Sequence, residues 1–378
     1  MKRKKYLEMH EHKIWQSEDG EWRTYLPDDT KRRLVRRRTR EQLDKLICQH
    51  YKQKQNEPTI RQVFQMWIIE KLEFGEIRKQ SYDRYQTDFD RFFANNASFK
   101  GFADRKIRYL DAEDLERFIR LTIAEMQLTQ KAYFGFRTII NGIFRCAKKK
   151  HYTNISITEF MGDLDISKKA FKKNVKYSEG EVYQECEAEK LTEYLASQRN
   201  DIRCLGLLLL FQTGLRVGEL CALKPEDLTA KSIHICRSEV KSKDDSGRWM
   251  NYVQEFPKSD AGDRHVIITE AARKTISLIM EARDEGEYLF CEKGKRLRTQ
   301  SFRRKLERVC NDLDIKYKSN HKIRKTYGTM LIDAHVDDAI VAEQMGHVNI
   351  STTRKYYYFS NKSESKKIEQ LEKASKYG

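Results

Sequence analysis

Between Thr59 and Lys149, aromatic and aliphatic side chains recur every three or four residues in four successive stretches. This spacing puts apolar side chains on one face of a helix, and four such faces bury one another. Thr59, Asp111 and Thr129 stand just before three of the stretches, where they can cap a helix N-terminus. The pattern predicts a helical bundle over residues 57–165, with no chemistry of its own.

The first 55 residues have a different pattern, typical of a small sheet followed by a helix. Short runs around Trp15 and Trp22 flank a turn that contains Gly20, and residues 32–37 form a third predicted strand. A helix is predicted over Glu41–Tyr51, where leucine and isoleucine share one face.

Residues 31–40 contain seven lysines and arginines among ten positions. A two-stranded β-ribbon fits the major groove of DNA, and so dense a run of like charge repels itself unless a polyanion meets it. We therefore expect this strand to bind DNA, although a charged edge strand that only prevents aggregation would look similar. The candidate contacts are Arg32, Arg33, Arg36, Arg37 and Arg38.

The whole chain is basic, with 74 Lys and Arg against 57 Asp and Glu and a formal net charge of +17. Such an excess favours a nucleic-acid partner, because lysine and arginine displace the counterions condensed on phosphates. A second basic stretch, residues 167–176, is half lysine and lies in a predicted linker, residues 166–183. This linker either follows a phosphate backbone or is a solvated tether. Its candidate DNA contacts are Lys168, Lys169, Lys172 and Lys173.

Several protein classes are disfavoured by the sequence. It has no apolar run of about 18 residues and no apolar stretch after its basic N-terminus, so we expect a cytoplasmic protein without membrane contact. The eight cysteines include no C-x-x-C pair, so neither a zinc site nor a disulfide framework is expected. An RNA-binding module would carry an aromatic stacking signature, which is not visible here.

The polar residues that indicate chemistry lie beyond residue 184. A buried helix ends at Gly214, and a new helix opens at Arg216, so that Glu219, three residues on, can orient the guanidinium. His321 and Arg324 have the same spacing on another predicted helix, and both donors therefore face one way.

Two further segments add a lysine and a set of tyrosines. Lys258 lies in residues 257–264, the predicted tip of a hairpin between strands 251–256 and 265–269. His347 follows Gly346, and three consecutive tyrosines come next, at positions 356, 357 and 358.

These side chains meet the needs of a phosphodiester that is attacked by a tyrosine. Two arginines can bind the non-bridging oxygens of the pentavalent intermediate, and histidines can supply further hydrogen bonds. A tyrosine, with an ordinary pKa of about 10, needs such a cationic field to attack as a phenolate. A mobile lysine can protonate the leaving 5′ oxygen. No metal-ligand cluster or phosphate-binding glycine loop is visible, so no metal, ATP or other cofactor is expected.

The sequence resembles the tyrosine recombinase (phage integrase) family in the order and spacing of its motifs. These are Thr-Gly-Leu-Arg216-x-x-Glu-Leu, Lys258, His321-x-x-Arg324 and Gly-His347. The resemblance implies an α+β multidomain protein. Its expected parts are an arm-type DNA-binding domain of a three-stranded sheet plus helix (1–55), a helical core-DNA-binding domain (57–165), the linker (166–183), a mainly α catalytic domain with a small antiparallel sheet (184–360), and a tail (361–378).

By the same resemblance, Arg216 and Arg324 clamp the scissile phosphate and Glu219 is a supporting carboxylate. Lys258 would be the general acid. His321 and His347 would assist proton transfer and phosphate binding.

The nucleophile is assigned by its distance from Gly346. The spacing usual in integrases gives Tyr357, which the arm-type N-terminal domain favours. The Xer-type spacing is one residue shorter and gives Tyr356, while Tyr358 is the least favoured of the three.

The resemblance implies a site-specific recombinase, the integrase or transposase of a mobile element, that mediates integration and excision through a 3′-phosphotyrosine. It implies double-stranded DNA as partner, at core and arm-type sites, and a tetramer on DNA with contacts through the tail. A tail folded back on its own domain is the alternative, and an excision factor is a further candidate partner. A relaxing topoisomerase is disfavoured by the arm-type domain, and a DNA-binding protein without catalysis is disfavoured by the complete set of reacting residues.

Overall fold

The computed structural model describes residues 2–27, 32–55, 57–174, 177–244, 246–255, 263–346 and 359–375. Two compact units make up the chain, Met1–Asn174 and Val175–Gly378. Helices dominate both units and the sheets are small and antiparallel, which confirms the predicted fold class. Among the described residues, no helix is both long enough and apolar enough to cross a bilayer.

The first unit contains a three-stranded sheet and then a run of helices. Its elements are α1 (Lys2–Glu8), β1 (Trp15–Gln16), β2 (Trp22–Pro27), β3 (Arg32–Arg37), α2 (Arg40–Gln55), α3 (Ile60–Glu73), α4 (Lys79–Phe89), α5 (Ala112–Glu125), α6 (Gln130–Lys149) and α7 (Ile157–Asp163).

The sheet has the order β1-β2-β3, so β3 lies at an edge, with Trp22 paired to Arg37 and Tyr25 paired to Leu34. The sheet and α2 enclose a small core that includes Leu26, Val35 and Leu43. Helix α1 was not predicted from the sequence.

The helical bundle begins as its capping residues predict. Thr59 accepts a hydrogen bond from the backbone N–H of Gln62, whose side chain accepts in turn from the backbone of Thr59, a capping box. The side chains of Asp111 and Thr129 likewise accept from backbone N–H groups in the first turns of α5 and α6, without the reciprocal bond. The core of the bundle is rich in phenylalanine rings, which stack or meet edge to face.

The second unit surrounds a central apolar helix. Its elements are α8 (Ser178–Glu181), α9 (Glu185–Ser197), α10 (Ile202–Thr213), α11 (Val217–Leu220), β4 (Ser232–Ile235), β5 (Arg237–Lys243), β6 (Trp249–Glu255), β7 (Arg264–Ile267), α12 (Glu270–Ala282), β8 (Cys291–Glu292), β9 (Lys295–Arg296), α13 (Thr299–Asp312), α14 (Asn320–Asp333), α15 (Asp338–Met345) and α16 (Glu364–Ala374).

Helix α10 is buried along nearly its whole length, because other helices of this unit and the β4–β7 sheet pack around its leucines. Val182 and Tyr183, which the sequence places in the linker, are also buried here, and Tyr183 belongs to the same core.

The strand pairing differs from the prediction. Strands 251–256 and 265–269 were expected to form one hairpin, but β6 pairs with β5 and β7 pairs with β4. A short connection closes the β5–β6 hairpin, where Gly247 has φ +79° and the Asp244 carboxylate accepts from the backbone of Arg248. Pairing β7 with β4 places Ile233 opposite Val266, and both side chains are buried in the core of this unit. Lys258 itself lies outside the described residues, between β6 and β7 in the sequence.

Candidate active site

Arg216 stands at the junction between α10 and α11. Helix α10 ends at Gly214, whose φ of +66° is left-handed, and a Cβ there would lie 2.2 Å from Cδ1 of Tyr327. Glycine is therefore needed both for the turn and for the close packing. The chain then presents Arg216 as the N-cap of α11, with 42% of its side chain exposed.

Glu219 is the buried carboxylate that orients this arginine. Its Oε2 accepts from the backbone N–H of Arg216 at 2.9 Å, and its Oε1 accepts from Nη1 of the same residue at 2.7 Å. Arg264 approaches from the start of β7 and donates to both oxygens, at 3.1 and 2.9 Å. Burial alone would raise the pKa of Glu219, but the hydrogen bond and charge of Arg264, helped by Arg216 and Arg324, lower it to about 2.

Arg264 is itself fixed by α15. Its Nε donates to the backbone carbonyl of Gln344 at 3.2 Å. The Gln344 side chain in turn pairs with the backbone of Ile267, accepting from its N–H at 3.1 Å and donating to its carbonyl at 3.3 Å. Glu219, Arg264 and Gln344 thus connect the start of α11 to β7 and to the end of α15.

Arg324 is the most buried of the candidate site residues that the structure describes, with 1% of its surface exposed. Its Nη1 donates to the carbonyl of Gly214 at 2.7 Å, and its Nη2 donates to the carbonyl of Met345. These carbonyls belong to the segment before Arg216 and the segment before Gly346. A single guanidinium therefore joins three sequence motifs that are far apart in the chain.

His321 lies one turn before Arg324 on α14, and its side chain keeps an exposed surface. Burial of the rest of the ring and the charges of Arg324, Lys325 and Arg216 lower its pKa from 6.5 to about 4. The imidazole is therefore neutral at neutral pH. It can accept a proton there, and a bound phosphate would raise its pKa by adding negative charge nearby.

The structure brings four of the candidate site residues together: Arg216, Glu219, His321 and Arg324. Their combined charge at neutral pH is positive, and Arg264 adds another cation. Such a cluster suits an anion whose negative charge grows during a reaction. The candidates Lys258, His347, Tyr356 and Tyr357 lie outside the described residues, as does Tyr358.

Comparison with known proteins identifies this part of the chain. Residues 181–364 match the model of the phage integrase family. This domain belongs to the phage integrase family. The resemblance drawn from the sequence motifs is thereby confirmed.

Relatives of the integrase domain include a tyrosine recombinase XerC-like protein of Caldanaerobacter subterraneus subsp. tengcongensis. It is 28% identical over 200 residues, which is 48% of this chain and 50% of that protein. Tyrosine recombinase XerA of Thermococcus kodakarensis is 30% identical over 175 residues, covering 45% of this chain and 55% of the relative. The chain thus spans about half the length of the relatives it matches.

Solved structures share the fold over a longer stretch. The Tn1549 transposon integrase in complex with a circular intermediate DNA has a TM-score of 0.61 at 16% identity, covering 84% of this chain and 99% of that one. A lambda integrase dimer bound to a COC′ core site has a TM-score of 0.55 at 15% identity, covering 91% and 94%. The fold class is therefore that of the integrases.

Two residues that position the cluster in the integrase domain were missed from the sequence. The sequence pattern places Arg264 at the end of the predicted hairpin tip, residues 257–264, and predicts no role for Gln344. The alternation Arg264-x-Val266-x-Ile268 was an available signal, since it puts Arg264 on the same face as two buried apolar residues. No local pattern marks Gln344.

One group of metal-ligand type occurs among the described residues outside this cluster. Asp227, His234 and Cys236 place a ligand atom each within 4.8 Å of one another. Both carboxylate oxygens of Asp227 accept from Arg237, at 2.5 and 2.6 Å, and His234 pairs with Asp263 at 2.8 Å. These protein partners already satisfy Asp227 and His234.

The candidate DNA contacts lie on the surface of the first unit. Arg32, Arg33, Arg36 and Arg37 are exposed along the edge strand β3, and Arg38 follows directly. Arg32 lies over the ring of Tyr25, and Arg36 pairs loosely with Glu21 at 3.7 Å.

The linker lysines 168, 169, 172 and 173 are exposed as well. The linker begins against the bundle, because Phe171 packs on Tyr133 and the backbone N–H of Lys172 donates to the carbonyl of Leu128 at 2.9 Å. This part of the linker is held in place and is not a free tether.

Proposed function

We propose that the protein is a site-specific DNA recombinase that cleaves and rejoins strands through a 3′-phosphotyrosine. The observation that carries this proposal is the cluster of Arg216, Glu219, His321 and Arg324 within a domain of the phage integrase family. A phosphodiester placed there would have two guanidinium groups at its non-bridging oxygens.

The reaction would proceed in two balanced transfers. Tyr357 gives its phenolic proton to a histidine of the site, His321 or His347, and its Oη attacks the phosphorus. The bond to the 5′ oxygen breaks, and Lys258 donates the proton that makes this oxygen a hydroxyl. In the second transfer, the 5′ hydroxyl of another strand gives its proton to the now neutral Lys258 and attacks the phosphotyrosine, and the released phenolate takes its proton back from the histidine. Arg216 and Arg324 bind the charge of the pentavalent intermediate, Glu219 holds Arg216 in place, and His321 and His347 assist proton transfer.

The natural role we propose is integration and excision of a mobile element in the cytoplasm. Arg32, Arg33, Arg36, Arg37 and Arg38 would bind an arm-type site, while the bundle and the linker lysines would bind the core site. This division is supported by the exposed arginines on β3 and by the linker lysines held against the bundle. An excision factor is a further proposed partner.

A tetramer on DNA would use the tail for contacts between copies. Ile368 and Leu371 on α16 are 50% and 70% exposed. The start of the tail is anchored to its own unit, through the carbonyl of Asn361 and the ion pair of Lys366 with Glu185. An apolar groove lined by Phe211, Met330, Leu331 and neighbouring residues is available to receive the helix of another copy.

The experiment that tests the proposed function is covalent trapping. The protein is mixed with nicked suicide duplexes carrying the ends of its element, without metal or ATP, and adducts resistant to SDS are collected. Mass spectrometry then locates the modified tyrosine, with Tyr357→Phe and Tyr356→Phe measured in parallel.

An adduct on Tyr357 supports the proposal, and an adduct on Tyr356 keeps the chemistry but moves the nucleophile to the Xer-type spacing. Tight binding of the correct ends without any adduct would contradict the recombinase function and favour a DNA-binding protein without catalysis.

A further inference from the structure

Lys325 is a buried cation next to the candidate active site. It follows Arg324 on α14, and 7% of its side chain is exposed. Its ammonium donates to Oε2 of Glu181 and lies 4.9 Å from the centre of the Phe359 ring. An ammonium this close to an aromatic face is attracted by the ring quadrupole, more strongly when both are shielded from water.

Glu181 brings two lysines of α14 together. Its Oε1 accepts from Lys322 at 2.7 Å while Oε2 accepts from Lys325. Burial opposes the ionised carboxylate, but the hydrogen bonds and charges of the two lysines outweigh it and lower the pKa of Glu181 to about 2. Glu181 is therefore ionised throughout the physiological range and holds Lys325 in position.

Phe359 directly follows the three tyrosines from which the nucleophile is drawn. Successive Cα atoms are about 3.8 Å apart, so fixing Phe359 confines the Cα of Tyr357 to within about 7.6 Å of it. The chain is held again two residues later, where the carbonyl of Asn361 accepts from the backbone N–H of Glu185 at 2.8 Å. The described segment that follows the tyrosines is thus attached both to α14 and to the start of α9.

We propose that Lys325 is a positioning residue for the nucleophile. Its ammonium, oriented by Glu181, holds the ring of Phe359 and so fixes the C-terminal end of the segment that carries Tyr356 and Tyr357. This inference rests on the proposed function. Because Arg324 and Lys325 are adjacent on one helix, the same element places both the phosphate clamp and the attacking tyrosine.

Lys322 supplies a matched control. It pairs with the same carboxylate as Lys325, and 22% of its side chain is exposed, but its described contacts do not include Phe359. If Glu181 and its two lysines acted only through their charges, replacing Lys322 and replacing Lys325 would slow adduct formation equally. A positioning role through the aromatic ring makes only Lys325 important.

The test measures single-turnover adduct formation on suicide duplexes at saturating protein. Lys325→Met and Phe359→Leu are each expected to slow adduct formation about 3- to 30-fold, the range set by a partly buried cation–π contact. The double variant should be no slower than the slower single variant, since both changes remove one contact. Lys325→Arg and Phe359→Trp keep the cation and the ring face and should retain most of the rate, as should Lys322→Met.

Phe359→Leu also separates positioning from charge, because it removes the aromatic ring but leaves the charge of Lys325 near His321 unchanged. Hydrogen exchange of the backbone amides of residues 359–362 gives a readout that does not depend on catalysis. Exchange should accelerate in Lys325→Met and Phe359→Leu but not in Lys322→Met.

Unchanged exchange in both variants would overturn the proposal, and so would faster exchange with an unchanged rate of adduct formation. Equal losses of rate in Lys322→Met and Lys325→Met would also overturn it. If the wild-type protein forms no adduct, the recombinase function fails first, and the exchange data still decide whether Lys325 holds this segment.

Discussion

The arginines of β3 and the two buried arginines of the candidate active site, Arg264 and Arg324, carry the same charge in opposite surroundings. Arg36 has 69% of its side chain exposed, whereas Arg264 has 5%. The outer arginines lie along an open edge strand, while Arg264 and Arg324 are held by a carboxylate or by backbone carbonyls. The outer set suits binding by many weak, salt-sensitive contacts, and the inner set suits chemistry that needs fixed geometry. The predictions below test this contrast, from the largest expected effect to the smallest.

The largest effect is expected from Arg324→Lys. Lysine keeps the charge but cannot reach the carbonyls of Gly214 and Met345 while also binding a phosphate bidentately. Adduct formation should fall on the order of 10²- to 10³-fold, as for the loss of one fixed donor in other active sites. Arg296→Lys is the matched control, since the partners of Arg296 are the buried Glu239 and the carbonyl of Cys221, which are not members of the cluster. A comparable loss of adduct in both variants would contradict a specific role for Arg324.

Glu219→Gln should reduce both stability and activity. The change leaves Arg264 buried with a weaker partner, and breaking a buried pair typically costs about 3–5 kcal/mol of unfolding free energy. Because the pKa of Glu219 is lowered to about 2, its stabilisation is present above its ordinary pKa of 4.5 and is lost as the pH falls towards 2. Denaturant unfolding across this range measures the effect.

Asp227→Asn is the control for Glu219→Gln, because it breaks the pair of Asp227 with Arg237 outside the cluster. It should lower stability and leave the rate of adduct formation nearly unchanged in the folded protein. An equal loss of rate would show that the activity follows stability alone.

The arginines of β3 should determine salt dependence. Each phosphate contact removed by Arg33→Ala, Arg36→Ala or Arg37→Ala should lower the slope of log Kd against log salt by about 0.9. Lys45→Ala, on the exposed face of α2, should change the slope less. The triple β3 variant carries Arg33→Ala, Arg36→Ala and Arg37→Ala together. An unchanged slope in this variant would contradict the proposal that β3 binds DNA.

The smallest effect concerns His321 and the pH. Its folded pKa, about 4, lies below the ordinary value of 6.5, so the unfolded chain takes up the proton first. His321 therefore costs no stability above pH 6.5, and its cost grows as the pH falls towards 4. His321→Gln should lose less unfolding free energy than the wild type over this window. Parallel curves for the two proteins would contradict the lowered pKa.

Much of the fold follows from local patterns in the sequence. Thr59, Asp111 and Thr129 cap helices where predicted, because capping depends on a few neighbouring residues. The pairing of β4 with β7 could not be predicted in this way, since it depends on which strands bury Ile233 and Val266 together. Alternation within a strand gives the buried face but does not identify the partner.

In the candidate site, too, local spacing predicts one part, and packing between distant segments determines the rest. The spacing of Arg216 to Glu219 and of His321 to Arg324 was sufficient to place each pair on one helical turn. The roles of Gly214 and Met345 as carbonyl partners of Arg324 come from packing between distant segments. Arg264 was missed for the same reason, because its partner carboxylate lies in a different element.

The most direct test compares Arg216→Ala with the triple β3 variant, measuring DNA affinity and adduct formation for each under the same conditions. Arg216→Ala should lose nearly all adduct formation and keep nearly wild-type affinity. The triple β3 variant should bind more weakly but form adducts at an almost unchanged rate once DNA is saturated. Equal losses of affinity and rate in both variants would contradict the division between an outer binding surface and an inner catalytic cluster.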